Sequence, residues 1–165
     1  MAEDVGDLGV GSHVPILAAA VVRTSGPVLE CGMGKWSSHM LHLMCRGRYL
    51  RSLETSQDWL ERFTDYRSPL HEVSLVSYWR EARLEDKHWS VAFVDHAPGE
   101  ERPDTILRLK DHADFIVVHD WCADRPGSGG NYGWKKLEGV FKYVVEYERT
   151  RPVTAILSDV EAFVI

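Results

Sequence analysis

Short apolar runs of strand length recur along the chain and end in polar residues or glycine. The runs at 27–32 and 114–120 are almost continuously apolar, which is typical of strands buried on both faces of a parallel sheet. The last two runs flank Pro152 and a short polar connection, which favours an antiparallel hairpin. The predicted strands cover residues 27–32, 48–54, 71–76, 88–96, 114–120, 141–149 and 153–159.

Segments with helical character separate most of these strands. Ser56 stands at the N-cap position of one predicted helix, and Pro103 lies in the first turn of another. Gly26 follows the first helical segment and is a candidate C-cap. The predicted helices cover residues 13–26, 36–45, 56–66 and 103–113.

Strands that alternate with helices and end in a hairpin indicate an α/β fold. We predict a doubly wound, Rossmann-like, mostly parallel sheet with a C-terminal antiparallel hairpin, packed as a three-layer α/β/α structure. The 165 residues suffice for one domain with a full core and are too few for two ordinary domains. The acidic, glycine-rich residues 1–12 predict a flexible leader, and residues 13–165 predict a single domain.

Polar and mostly acidic residues end several of the predicted strands. Glu30, Glu54 and Asp95 each lie at the carboxyl end of a strand, and His119 and Asp120 end the fifth strand. In doubly wound sheets, ligands bind beyond the carboxyl ends of the strands, where the strand order reverses. We therefore expect these side chains to line one ligand site.

An E-x-G-x-G motif at Glu30–Gly34 follows the first predicted strand. It is not a phosphate loop, because Trp36 follows Lys35, and it lacks the third glycine of the dinucleotide fingerprint, because Ser37 stands there. Its glycines allow the backbone to approach a ligand, and Glu54 can accept hydrogen bonds from both ribose hydroxyls. An acid in the motif suits a ligand with a cationic amino-acid tail.

These motifs resemble the class I S-adenosylmethionine-dependent methyltransferases over nearly the whole chain. The resemblance lies in VLECGMG, SLE, VAFVDHAPGEERPDTILRL, FIVVHD and the hairpin FKYVVEYERTRPVTAILS, and is strongest to small bacterial and phage proteins with DHAPGE and VHD at these strand ends. It implies that the single domain is methyltransferase-like and uses S-adenosylmethionine. The implied cofactor-binding residues are Glu30, Gly32 and Gly34 beside the methionine moiety, Glu54 at the ribose, and Asp95.

The fourth and fifth predicted strands end in Asp95, His96, His119 and Asp120. Two chemical roles are open to these side chains. A carboxylate or imidazole could take the proton of an acceptor hydroxyl during methyl transfer, so Asp95, His96 and His119 are candidate catalytic residues. Alternatively, Asp95, His119 and Asp120 bind Mg²⁺ or Mn²⁺, as acids at these strand ends do in related sugar and catechol O-methyltransferases. His119 stands where those families often have a second acid.

Composition and charge restrict the partners. The net charge of −6 argues against a nucleic-acid partner and favours a saccharide or small natural product as the acceptor. The longest apolar stretch, 15–22, is too short to cross a membrane, and three widely spaced cysteines fit a reducing cytoplasm. No inserted lid is visible in the sequence, so an open crevice suits a glycan, or else a homodimer whose partner closes the site.

The sequence thus predicts an enzyme that transfers a methyl group to a hydroxyl oxygen. A non-catalytic S-adenosylmethionine-binding module of a larger assembly is one alternative. A nicotinamide-dependent reductase on the same sheet is another, although Glu30 and the missing third glycine argue against it. The loop at 122–133, flanked by Trp121 and Trp134 and including Tyr132, predicts exposed aromatic rings beside the crevice that could hold the acceptor.

Overall fold

The computed structural model describes residues 11–127 and 130–164. Residues 1–10, which make up most of the predicted leader, lie outside this range. The α-helices are α1 (Val14–Arg23), α2 (Ser37–Met44), α3 (Gln57–Glu61) and α4 (Arg102–Leu109). The strands are β1 (Val28–Cys31), β2 (Leu50–Glu54), β3 (His71–Leu75), β4 (Trp89–Val94), β5 (Ala113–Val118), β6 (Tyr143–Tyr147) and β7 (Thr154–Ser158).

The strands of the described chain form one seven-stranded sheet in the order β3-β2-β1-β4-β5-β7-β6. The first five strands in this order pair in parallel, and β7 pairs antiparallel with both β5 and β6. Strand order reverses between β1 and β4, which is the place where ligands bind in sheets of this kind. The predicted doubly wound, Rossmann-like sheet with its C-terminal hairpin is confirmed.

Both faces of the sheet are covered, because successive strand residues point to opposite sides. On one face, Val28 and Phe93 pack with Leu17 of α1 and Leu41 of α2. The opposite face joins Leu29, Val94 and Ile116 to α4 and to short 3₁₀ segments through a second cluster, which includes Ile106, Leu109, Trp79, Trp89 and Trp134. This explains why the central strands are continuously apolar in the sequence, and it confirms the three-layer arrangement.

Three predicted helices end at least three residues earlier than their sequence patterns suggest. The one predicted over 103–113 ends at Leu109, and β5 already begins at Ala113. Helix α1 stops at Arg23, and Gly26 is not its cap, because the guanidinium of Arg48 donates to the backbone oxygens of Val21, Thr24 and Gly26 at 2.9, 2.8 and 2.5 Å. A cation on these terminal carbonyls replaces a glycine cap.

The predicted helix at 56–66 divides into α3 and a 3₁₀ turn, Thr64–Tyr66. Its N-cap prediction is confirmed, since Ser56 accepts a hydrogen bond from the backbone of Trp59. No helix in the described ranges combines the length and the apolar content that a bilayer crossing requires.

Gly32 brings the carboxyl ends of β1 and β4 into contact. Its φ is +93°, a value that side chains other than glycine rarely adopt. A Cβ at this position would lie 2.5 Å from the backbone Cα of His96. The first glycine of the motif therefore allows two strand ends to pack backbone against backbone.

The Gly32→Ala substitution should lower the free energy of unfolding by about 2–4 kcal/mol, because it adds both backbone strain and a clash with backbone atoms. The matched control is Gly47→Ala, where an added Cβ meets nothing within 4 Å. Urea denaturation of both variants measures the effect. Equal stability of the two variants would contradict the close packing of these strand ends.

Candidate functional site

The carboxyl ends of β1, β2, β4 and β5 lie at one edge of the sheet, as the parallel pairing requires. The residues predicted from the sequence divide there into two groups. One group, at β4 and β5, brings Asp95, His119 and Asp120 into direct contact. The other, at β1 and β2, contains Glu30, Gly32, Gly34 and Glu54. The groups meet at Gly32, beside the backbone of Asp95 and His96.

Arg102, the first residue of α4, joins the acids of the first group. Its guanidinium lies 3.1 Å from Asp95 Oδ1 and 3.1 Å from Asp120 Oδ2, and its side chain is only 7% exposed. It also donates to the backbone oxygens of His96 and His119, at 2.7 and 3.3 Å. One buried cation therefore fixes both strand ends and compensates the two carboxylates. The sequence analysis did not single out Arg102.

His119 bridges the acid of β4 and the start of the described chain. Its Nδ1 lies 3.0 Å from Asp95 Oδ1, and its Nε2 lies 2.9 Å from Ser12 Oγ. The Ser12 hydroxyl donates to the carbonyl oxygen of Pro152, so it accepts a hydrogen bond from His119 Nε2. An ionised Asp95 accepts only, and therefore Nδ1 also carries a proton. In this network His119 is an imidazolium.

The electrostatics agree with that proton count. Burial alone would lower the pKa of His119, but the hydrogen bond and charge of Asp95, together with the charge of Asp120, raise it. Burial would likewise raise the pKa of Asp95, but His119 and Arg102 hold it below its ordinary value. The group thus places two acidic side chains beside Arg102 and His119, and Asp95 and Asp120 remain about one-fifth exposed.

His13 is a member of this group that sequence reasoning missed. It directly precedes α1, is 2% exposed, and its ring lies 4.8 Å from that of His119. Neither of its ring nitrogens has a hydrogen-bond partner within the described residues. Burial, followed by the charge of His119, lowers its pKa to about 4, so the ring is neutral. The only signal in the sequence that could have identified His13 is its polar side chain at the start of an otherwise apolar helix.

Ser12 belongs to the segment predicted as a flexible leader, yet it is buried at 3% exposure. Thr150 Oγ1 donates to the backbone oxygen of Ser12, and Ser12 Oγ donates to the backbone oxygen of Pro152. The side chain and the backbone of Ser12 therefore both contact the β6–β7 connection. The ordered chain therefore includes at least the last two leader positions. The remaining ten lie outside the described residues.

His96, the third predicted catalytic residue, faces away from the acids. It is 1% exposed, stacks on Trp79 with ring centroids 4.0 Å apart, and contacts Thr105 Oγ1 through Nε2 at 2.9 Å. Burial and the charge of Arg102 lower its pKa to about 3. The imidazole ring of His96 is neutral and packs in the interior. Only the backbone of His96 contacts the site, through its carbonyl oxygen, which accepts from Arg102.

Glu30 is fully buried and held by serines. Ser38 Oγ donates to Oε1 at 2.9 Å, and Ser52 Oγ donates to Oε2 at 2.6 Å. Burial raises its pKa to about 7, against the opposing effect of these hydrogen bonds. Through these two hydrogen bonds, Glu30 on β1 links α2, which carries Ser38, and β2, which carries Ser52. Gly34 joins the same network, since its backbone N–H donates to Ser38 Oγ at 3.0 Å.

Glu54 organises the backbone at the end of β2. Oε2 accepts from the backbone of Met33, and Oε1 accepts from Thr55 and Ser56, at 2.7–2.9 Å. It is 8% exposed, so a ribose could reach it only by exchanging hydrogen bonds with this turn. A cleft of about 300 Å³ adjoins the ends of β2 and β3, lined in part by Leu53, Leu75 and Ser77.

The aromatic rings beside the crevice are more buried than predicted. Trp134 is 7% exposed, and its centroid lies 5.2 Å from Trp121 and 5.6 Å from Tyr132. The ring of Tyr132 stacks on the guanidinium of Arg102, with Cζ 5.0 Å from the ring centroid. The prediction of freely exposed rings is wrong, because these rings pack on one another and on the site.

The proposed set for a hard divalent ion has a poor charge balance. Asp95 and Asp120, which would bind Mg²⁺ through oxygen, already contact Arg102. His119 adds a second cation between them. The donors around His119 that suit a metal are instead His13 and Asp95, whose candidate ligand atoms lie with that of His119 within 4.8 Å of one another. An oxygen-rich Mg²⁺ site does not fit these residues.

Several solved structures that are similar to this chain are methyltransferases by name. A candidate caffeoyl-CoA O-methyltransferase from Staphylococcus aureus matches 88% of this chain and 82% of its own, with 9% identity and a TM-score of 0.66. The O-methyltransferase TomG from Streptomyces achromogenes, solved with S-adenosylmethionine, matches 88% and 78%, with 16% identity and a TM-score of 0.63. A candidate rRNA methylase from Clostridium thermocellum matches 90% and 97%, with 12% identity and a TM-score of 0.64.

Other comparisons return nothing. No protein-family model matches the chain, and no curated protein is similar to it. At these low identities the structural likeness establishes the fold. The chain has the Rossmann-like fold of the S-adenosylmethionine-dependent methyltransferases.

Glu30 should make the protein less stable as the pH rises. Its folded-state pKa of about 7 lies above the ordinary 4.5, so its contribution is complete below pH 4.5 and is lost as the pH rises through 7. The loss should be about 3 kcal/mol and should be absent in Glu30→Gln. Urea denaturation between pH 4.5 and 8 measures it, with the exposed Glu81→Gln as the control. Parallel pH profiles for wild type and Glu30→Gln would refute the assignment.

Proposed function

We propose that the protein is an S-adenosylmethionine-dependent methyltransferase that methylates a hydroxyl oxygen. The observation that carries the proposal is the meeting of two groups at the point where strand order reverses: the motif residues of β1 and β2, and the charged residues of β4 and β5. Support also comes from the fold, which this chain shares with O-methyltransferases, one of them solved with S-adenosylmethionine.

Cofactor binding is assigned to the β1–β2 group. Glu54, at the end of β2, binds the ribose, and the turn of Gly32 and Gly34 lies beside the methionine moiety. Glu30 supports this turn through Ser38 rather than contacting the ligand, because it is fully buried. Asp95 lies next to Gly32 and completes the boundary with the acceptor side.

Acceptor activation is assigned to the β4–β5 group. Bound at this edge, the cofactor would supply a methyl group on a sulfonium. The acceptor oxygen would bond to the methyl carbon in line as the C–S bond breaks and S-adenosylhomocysteine leaves, while a base takes the hydroxyl proton. Asp95 and Asp120 are the proton acceptors, since both carboxyl groups are partly exposed at this edge and contact Arg102 and His119. His119, already doubly protonated, positions Asp95 and stabilises its charge. His96 contributes its backbone carbonyl, which holds Arg102.

The acceptor class follows from charge and from the aromatic lining. The net charge of −6 disfavours a polyanionic acceptor, although one structural neighbour is a candidate rRNA methylase. Tyr132 and Trp121, both half-buried beside Asp120, suit the face of a sugar or of a small natural product. A homodimer would be one way to close an open crevice over such an acceptor.

A non-catalytic binding module is not favoured. Such a module would not need partly exposed acids beside the cofactor side of the sheet edge. Here Asp95 and Asp120 both lie there and contact Arg102 and His119.

Calorimetry with S-adenosylmethionine tests the first half of the proposal. Wild type should bind, and Glu54→Gln should bind at least about tenfold more weakly, because a carboxylate that accepts from ribose hydroxyls is lost. Glu61→Gln, an exposed acid on α3, is the control and should bind as wild type does. No heat of binding at millimolar ligand would remove the assignment.

Methyl transfer from labelled S-adenosylmethionine to sugars, phenolic natural products and RNA tests the second half. Asp120→Asn should lower kcat by about 100-fold or more, the range expected for loss of a general base, while cofactor affinity stays within about twofold. Asparagine tolerates the positive φ of 58° at this position, so the backbone is preserved. The control is the exposed Asp111→Asn. Undiminished turnover in Asp120→Asn, or transfer to RNA alone, would contradict the proposed chemistry.

A further inference from the structure

We propose that His13, Asp95 and His119 form a binding site for a first-row transition-metal ion of the zinc type. This site differs from the Mg²⁺ or Mn²⁺ set expected from the sequence, because it replaces Asp120 by a histidine from the start of α1. It goes beyond the proposed methyl transfer, although it uses Asp95 and His119 of the same sheet edge, and it can be tested without cofactor or acceptor. Its three candidate ligand atoms come from three separate parts of the chain.

The spacing of the ligand atoms suits a small ion. Three atoms that all lie within 4.8 Å of one another share a central point no farther than about 2.8 Å from each, which is 4.8 Å divided by √3. Zinc binds imidazole nitrogen and carboxylate oxygen at about 2.0–2.2 Å. Each ligand atom would therefore have to move by less than about 1 Å, within reach of small side-chain rotations.

His13 provides the independent sign of a ligand. Its ring is buried and without a hydrogen-bond partner for either nitrogen within the described residues. Buried polar groups in proteins are almost always paired, and an exception calls for an explanation such as an ion. The ring lies edge-on to His119 and against Phe93, which directs it toward the ends of β4 and β5. A metal ion there gives a nitrogen of His13 its missing partner.

His119 is oriented in the way that metal-binding histidines usually are. Its Nε2 donates to Ser12 Oγ, which donates to the carbonyl of Pro152, so this nitrogen is fixed as N–H. Such a hydrogen bond to the outer nitrogen orients the ring and leaves the other nitrogen for the ion. Nδ1 is then the ligand, and binding of the ion displaces the proton that Nδ1 shares with Asp95.

Asp95 can take part without breaking its ion pair. Its contacts to Arg102 and His119 in the described chain both use Oδ1, so Oδ2 can face the ion. One carboxylate and two neutral imidazoles leave the bound divalent ion with a net charge of about +1. Asp120 Oδ1, 3.4 Å from His119 Nδ1, lies close enough to balance that charge.

The donor set indicates the class of metal. Imidazole suits zinc, cobalt, nickel, copper and iron, whereas magnesium and calcium prefer oxygen. Three protein ligands leave at least one coordination position open, as in catalytic rather than structural zinc sites.

Titration of chelator-treated, full-length protein with Co²⁺ or Zn²⁺ tests the site without any cofactor or acceptor. Wild type should bind one ion, give the visible d–d absorption of cobalt in a nitrogen–oxygen site, and resist a 100-fold excess of Mg²⁺. His13→Gln should weaken binding by more than about 100-fold, beyond the effect of losing an outer-sphere partner. His88→Gln removes an exposed histidine paired with Asp114 and should leave binding unchanged.

His13→Cys keeps the test decisive if His13→Gln fails to fold. A thiolate at position 13 bound to Co²⁺ gives a near-ultraviolet charge-transfer band, which wild type should lack. The proposal is overturned if wild type binds no Co²⁺ or Zn²⁺ at millimolar concentration, or if His13→Cys lacks the band. It is also overturned if Asp120→Asn abolishes binding while His13→Gln does not. Failure of S-adenosylmethionine binding would leave this result untouched, so the two proposals fail separately.

Discussion

A single buried guanidinium holds the end of β4 and the end of β5 in register. Arg102 contacts both acids and three backbone carbonyls from these strand ends, those of Asp95, His96 and His119. Loss of one partner from a buried ion pair is costly, typically about 3–5 kcal/mol, because the remaining charge stays desolvated. Both acids therefore stay next to Arg102, and the two strand ends stay together. The chemistry assigned to this edge depends on that constraint.

The fold and the position of the site could be predicted because they follow from local rules. Central strands such as β1 and β5 are apolar on both faces, and parallel strands place their carboxyl ends at one edge. Acids at those ends, Glu30, Glu54 and Asp95, therefore had to lie at the same edge. Which of them face a ligand did not follow. Glu30 lies in the same motif as Gly32 but is fully buried under serines.

The remaining features depend on contacts between residues far apart in the sequence. Ser12 and His119 are 107 positions apart, and no spacing rule joins them. Composition alone predicts Ser12 in the leader and His13 at the start of an apolar helix. Similarly, α1 ends where Arg48 reaches its carbonyls rather than where a glycine follows. Such side-chain contacts become visible only when the chain is folded.

The central claim is that the carboxyl ends of β1, β2, β4 and β5 form one cofactor and acceptor site. A crystal structure with S-adenosylhomocysteine tests it most directly. We expect the ribose within hydrogen-bonding distance of Glu54, the sulfur beside Gly32, and Asp95 with Asp120 lining the open side. A ligand bound elsewhere, or Asp95 and Asp120 separated onto different surfaces, would contradict the account.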